Sequence, residues 1–344
     1  MADMLLFGNL AGRPAQPRRF RHFRTELDDY YNDKNVKSRF RFNSDSIRYI
    51  VDLLSPQLAR GTKRNHALSP TLQVLVALRY FASGNFLEVI GDTFGLPKST
   101  VSRCITDVSK ALVANKEEFI AWPSDEEKRQ IKEAFFAKKG FPGVIGCIDG
   151  THVRIQGPPR NENDFVNWKG FHSINVQAIC DNKGLFTNVV AKWPGNAHDS
   201  FIFQDSGIHD KLQLEHKSVE DGVLIGDSGY GCKPFLMTPF PHPETPKQEA
   251  YNEALGKTRV KIEQTFGIFK RRFHLMHTEI RVDPSKATLL IGACAVLHNI
   301  AIIRNDVYNP PRGVVFEDDQ PEVPPYEGPE DGLRIREYIC QNYF

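Results

Sequence analysis

Gly143-Val144-Ile145-Gly146-Cys147-Ile148-Asp149-Gly150-Thr151-His152 decides how the chain is read. A short apolar run bounded by glycines predicts a buried strand. It delivers a carboxylate, Asp149, to its carboxyl end, with Gly150 letting the backbone turn. Val223-Leu224-Ile225-Gly226-Asp227-Ser228-Gly229-Tyr230 repeats the pattern with Asp227. Between them, strands are expected over Phe171–Asp181 and Leu185–Trp193, joined at Asp181-Asn182-Lys183-Gly184, a hairpin turn. Trp193-Pro194-Gly195-Asn196-Ala197-His198 then leads into a short helix, Asp199–Gln204.

A fourth acid lies in a long helix that ends at Arg272. There Ile262, Phe266, Phe269 and Phe273 form an apolar stripe, with Glu263 at its border beside Arg259 and Lys270. Acids in apolar surroundings need partners. Carboxylates that converge repel one another, and a hard divalent cation, Mg²⁺ or Mn²⁺, relieves the repulsion. Two such ions stabilise both the attacking and the leaving oxygen in phosphoryl displacement. Singly, an Asp at a strand end is more often structural. The order strand-Asp149, strand-Asp227, helix-Glu263 is the pattern of an RNase H-like α/β nuclease fold, a mixed sheet with flanking helices. His152 and His198 flank two of the acids and are expected to orient them.

The remainder of the chain suggests how DNA reaches these acids. From Phe42 the period is helical, with one helix over Ile47–Leu54 and another opening at Ser69-Pro70 and ending at Gly84. Phe86 to Ile105 reads as a short helix, a Gly95-Leu96-Pro97 turn and a second helix. Lys98, Ser99, Thr100, Ser102 and Arg103 stand at the front of that second helix, the arrangement of a helix-turn-helix recognition helix. A helical hairpin in a bundle gives the same pattern without DNA. Lys270, Arg271 and Arg272 near Glu263 are further candidates for phosphate contact, against the plain alternative of a solvated charged face. The expected organisation is a basic, flexible N-terminus over 1–40, an all-α helix-turn-helix domain over 41–125, the nuclease domain over 140–305 and an acidic, Pro-rich tail over 306–344.

Composition agrees with an ordinary globular protein, 344 residues long with 40% hydrophobic and 25% charged residues. The net charge is +2, but seven acids and no Lys or Arg lie between Glu317 and Asp331, so the remainder carries +9. A basic body suits a polyanion. Arg13, Arg18, Arg19, Arg21 and Arg24 read as a nuclear-entry or phosphate-binding arm, or as a solvated terminus. The six cysteines show no paired spacing, which suits reduced thiols rather than disulfides or zinc. No secretory signal is recognised, and Ala287–Ile303 reads as a buried core helix rather than a membrane span.

The chain resembles the PIF/Harbinger superfamily of DDE transposases, which includes a domesticated, Harbinger-transposase-derived nuclease. The residues that carry the resemblance are Gly-Cys-Ile-Asp149-Gly-Thr-His, Trp-Pro-Gly-Asn-Ala-His-Asp199-Ser, Gly-Asp227-Ser-Gly-Tyr, Leu236-Met237-Thr238-Pro239-Phe240, Arg259-Val-Lys-Ile-Glu263 with the residues to Phe273, and Leu297-His298-Asn299. The resemblance implies catalytic, metal-holding acids at Asp149, Asp199, Asp227 and Glu263. Topology favours Asp227 as the second member of the triad, with Asp199 as a fourth acid. It also implies Mg²⁺ or Mn²⁺, cleavage at transposon ends with joining of 3′-hydroxyls to target DNA, and a homo-oligomer on DNA. A Myb/SANT-like partner protein and action in the nucleus, with passage through the cytoplasm, are implied as well. The alternative is a domesticated nuclear DNA-binding protein or nuclease without transposition.

Overall fold

The computed structural model describes residues 33–59, 67–308 and 331–344. The N-terminal arginines, the loop Arg60 to His66 and the acids from Glu317 to Glu330 lie outside the described residues. Among the described residues, seven helices precede the sheet: α1 (Asp33–Phe40), α2 (Ser44–Leu58), α3 (Pro70–Ser83), α4 (Leu87–Phe94), α5 (Lys98–Ala114), α6 (Lys116–Phe119) and α7 (Asp125–Lys139). Local chemistry sets their ends. Asn43 caps α2 and Ser69 caps α3, with Pro70 at the first helical position. Ser124 and Glu127 form a capping box on α7. Gly84 and Gly95 close α3 and α4 in left-handed conformations that a side chain would strain. Pro56 is tolerated in the last turns of α2, which runs two residues beyond it.

The strands follow as β1 (Val144–Arg154), β2 (Ser173–Cys180) and β3 (Phe186–Pro194). Then come α8 (Asp199–Gln204), α9 (Gly207–Glu215), β4 (Val223–Ile225), β5 (Leu236–Met237), α10 (Pro246–Arg272), α11 (Pro284–Ile303) and α12 (Asp331–Tyr343). The sheet order is β3-β2-β1-β4-β5, with β1 antiparallel to β2 and parallel to β4. The β2–β3 turn is held by Asp181 Oδ1, which accepts from the amides of Lys183, Gly184 and Leu185. On one face Ile148, Ile179 and Leu224 pack with Phe203, Ile208 and Leu212 of α8 and α9. The other face packs on α10 and joins the N-terminal helices in one apolar cluster.

Three features depart from the expected organisation. Residues 33–40 are not a flexible terminus: Val36 and Phe40, one helical turn apart, are buried in the core. Residues 331–343, assigned to the acidic tail, form α12, which buries Ile339 and Cys340 against β5 and α10. The helical and nuclease regions are not separate cores. Ile105, Val108 and Leu112 of α5 share one cluster with Leu290, Cys294 and Leu297 of α11. All six cysteines are buried, and none forms a disulfide. Alone among the described helices, α11 is long and apolar enough to cross a membrane, and it is mostly buried.

His298 shows how this core treats a titratable group. Its Nε2 lies 2.9 Å from the carbonyl of Gly184, and its ring packs on Phe186. Burial depresses its pKa to about 3. The unfolded chain takes a proton near 6.5 that the folded chain refuses, so this contribution to stability is complete above 6.5 and is lost as pH falls toward 3. From pH 6.5 to pH 5 the loss should be ~2 kcal/mol. Denaturant midpoints of wild type and His298→Gln at pH 7 and pH 5 measure it, and the wild type should lose more than the variant.

Candidate active site

β1 does not end at Asp149. It runs straight through to Arg154, so Asp149 sits mid-strand, 4% exposed. Asp227 follows β4, and the parallel register pairs Cys147 with Ile225. Both acids stand two residues beyond that pair, so the ladder sets them abreast on neighbouring strands. Asp149 Oδ1 accepts from the amide of Gly150, and Asp227 Oδ1 accepts from the amide of Gly229 at 3.0 Å.

Glu263 reaches the same place from α10. Arg259, one helical turn before it, forks its guanidinium between two of the acids. Nη1 lies 3.1 Å from Asp149 Oδ2, and Nη2 lies 2.6 Å from Glu263 Oε1. A strand acid and a helix acid thus converge on one centre of positive charge. Arg259 does not cancel the local excess of negative charge. Burial, and next the carboxylate of Asp227, push the Asp149 pKa well above the usual carboxylate range. Arg259 opposes the shift and Asp199 adds to it. Tyr230, buried beneath with its hydroxyl on Gln177, is pushed up by burial and by the same three aspartates.

Asp199 comes from the other side of the strand. A Cβ built on Gly150 would fall 2.4 Å from Asp199 Oδ1. Neighbouring strand residues project to opposite faces, so Asp199 approaches β1 on the α8 face while Asp149 projects toward α10. Gly150 makes no turn. It is glycine because the Asp199 carboxylate fills the space of a side chain. Asn175 of β2 donates from Nδ2 to Asp199 Oδ1 at 2.7 Å and to the carbonyl of Ala197 at 3.0 Å, fixing the start of α8.

Among the described residues, no three His, Cys, Asp or Glu side chains are disposed to hold a metal as they stand. The donor set nevertheless suits a hard cation. It consists of carboxylate oxygens, among which burial and then the neighbouring carboxylates raise Asp149, and two of them already share one cationic partner. Arg259, Asn175 and backbone amides contact these acids. His152 Nδ1 meets Ser173 Oγ at 3.1 Å, and His198 is exposed just before α8. Asn175 carries a sequence signal of its own, since an Asn inside a strand is unusual.

The basic candidates divide. Lys98, Ser99 and Arg103 are exposed at the front of α5, where Lys98 pairs with Glu88 and Arg103 reaches Thr100 Oγ1. Ser102 is half-buried and accepts from Lys286 of α11. Lys270 is half-buried and donates to the carbonyl of His152, and Arg271 is half-buried beside it.

Arg272 is not a surface phosphate ligand. It is 3% exposed, donates to the carbonyls of Arg41 and Asp306, and stacks on Phe42. Burial lowers its pKa to about 10. Arg272→Met should cost about 3 kcal/mol, because two buried carbonyls lose their donor. Denaturant titration reads that loss, and DNA affinity of the folded variant should stay at the wild-type value.

A profile described as DDE superfamily endonuclease matches residues 148–299, the span that carries all four acids. A Homo sapiens protein named "Putative nuclease HARBI1" is 36% identical over 330 residues, covering 93% of each chain. The chain belongs to the Harbinger-type DDE superfamily. The Xenopus laevis protein of the same name is 34% identical and covers 87% of this chain and 84% of its own. The Arabidopsis thaliana "Protein ALP1-like" is 28% identical, covering 79% of this chain and 72% of its own. No solved structure gives a significant match.

Proposed function

We propose that this protein is a divalent-metal-dependent DNA endonuclease of the DDE type, with Asp149, Asp227 and Glu263 as its core acids and Asp199 as a fourth. The reading rests foremost on one observation. The β1–β4 register brings Asp149 and Asp227 abreast, and Arg259 ties Glu263 to Asp149. The mixed five-stranded sheet suits an RNase H-like fold, and the "nuclease" in the names of its relatives suits the chemistry. Mg²⁺ or Mn²⁺ held by these carboxylates would offset phosphate charge and sharpen a water nucleophile. The protein's own residues do the positioning. Asn175 fixes Asp199, Arg259 steadies Asp149 and Glu263, and the rigid β1 ladder keeps the acids at one height.

We extend the reading to DNA contact by the front of α5 through Lys98, Ser99, Thr100 and Arg103, with the α4–α5 pair serving as a helix-turn-helix. Joining of 3′-ends to target DNA, a homo-oligomer on DNA, a Myb/SANT-like partner and nuclear action belong to the same proposal and rest on the Harbinger resemblance. The test is incubation with labelled duplex DNA carrying transposon ends, in Mg²⁺, in Mn²⁺ and in chelator. Cleavage is expected only with metal. Tight binding without cleavage under every metal condition would reject the nuclease in favour of a DNA-binding protein.

A further inference from the structure

Beside Asp199, on the α8 face of the sheet, lies a cleft of about 260 Å³. That is smaller than the usual pocket for a drug-sized ligand and suits a single ring system. Its walls are Trp168, Asn167, Asn175, His152 and His198, with the Asp199 carboxylate and the backbone of Gly229 at the acid end. Among the described residues, no Lys or Arg lines it. A wall of amides, imidazoles and an indole offers neutral donors and acceptors rather than a cationic grip on phosphate. It suits a flat, uncharged ring bearing donors and acceptors.

Trp168 is the prominent member. It is 51% exposed, and the Lys169 ammonium lies 4.9 Å from its ring centre. Its loop is firmly held. Asn167, 4% exposed, accepts from the amides of Lys169 and Phe171 through Oδ1 and donates to Ser173 Oγ. Val166 bridges to His172 and closes the loop. The largest aromatic side chain is therefore presented half to solvent on a fixed loop, at the mouth of a polar cleft that reaches an acid of the site. Exposed aromatic faces of this kind stack nucleic-acid bases, and amides and imidazoles read base edges.

We infer that this cleft is a nucleobase pocket, which takes one unstacked base of the DNA strand next to the acids. The inference rests on the endonuclease reading. It adds that the protein holds a base as well as the phosphodiester backbone. A base drawn from its stack must regain that interaction elsewhere, and the indole of Trp168 supplies the new face. No bond is made or broken in the step.

The test uses full-length protein in Ca²⁺ at a fixed salt concentration, with single-stranded dT12, an abasic oligomer of equal length and charge, and free dTMP. Wild type should bind dT12 about 10-fold more tightly than the abasic oligomer. Trp168→Ala should abolish that difference while leaving affinity for the abasic oligomer unchanged, and Trp168→Phe should keep most of it. Circular dichroism and a melting curve establish that each variant is folded. Equal affinity of wild type for the two oligomers would overturn the inference. So would a Trp168→Ala variant that keeps the base preference, or one that weakens both oligomers alike. Binding of dTMP as tight as dT12 would overturn the assignment to a DNA strand. Failure of the endonuclease reading looks different, with base-dependent binding intact and no metal-dependent cleavage.

Discussion

Asp149→Asn is expected to reduce metal-dependent DNA cleavage on the order of 10³-fold or more, and at the same time to raise the melting temperature of the metal-free protein. The two effects share one cause. Asp149 is buried beside Asp227 and Asp199, and its charged form is disfavoured despite Arg259. The carboxamide keeps the shape and removes the charge, so the metal-free fold gains what the active site loses. Asp227→Asn and Glu263→Gln should show comparable losses of activity. Time courses on labelled duplexes and melting curves in chelator give both readings. An Asp149→Asn protein that still cuts at the wild-type rate, or that melts lower without metal, contradicts this account of the site.

Gly150→Ala should reduce cleavage on the order of 10²-fold, although alanine is the smallest change available. The added methyl would stand 2.4 Å from Asp199 Oδ1 and 2.5 Å from Oδ2, closer than atoms can approach. Asp199 must withdraw from β1, and with it the contact from Asn175. The strand itself tolerates alanine, so far-ultraviolet circular dichroism should be unchanged. Asn175→Ala should displace Asp199 more mildly, since it removes one donor and adds no clash. Cleavage by Gly150→Ala at the wild-type rate would mean that Asp199 takes no part.

The acids were legible in the sequence because each sits in an unusual place: two after apolar runs, one at a helix start and one at the edge of an apolar stripe. The Ser69-Pro70 signal placed the start of α3 for a similar reason, since a cap acts within a single turn. What the sequence hid was long-range. Gly150 resembles a turn glycine locally, and its real constraint is a carboxylate 49 positions away. Arg272 has the look of a surface cation in a basic run, yet its partners are Arg41 and Asp306. The α1 helix carries only Val36 and Phe40 as apolar residues, and α12 follows directly on the acidic run, so only contact with distant elements reveals that they are packed.

The shared core of α5 and α11 has a consequence for how such proteins diversify. Specificity often changes when a whole recognition module is exchanged for another. Here the inner face of the α4–α5 unit is also the wall against which α11 folds, through Ile105, Val108 and Leu112. A transplanted module would have to bring a matching surface for Leu290, Cys294 and Leu297, or unseat the helix that supports β3 and α10. Change is then confined to the exposed front of α5, one side chain at a time, while the helix itself stays fixed to the core it shares with α11.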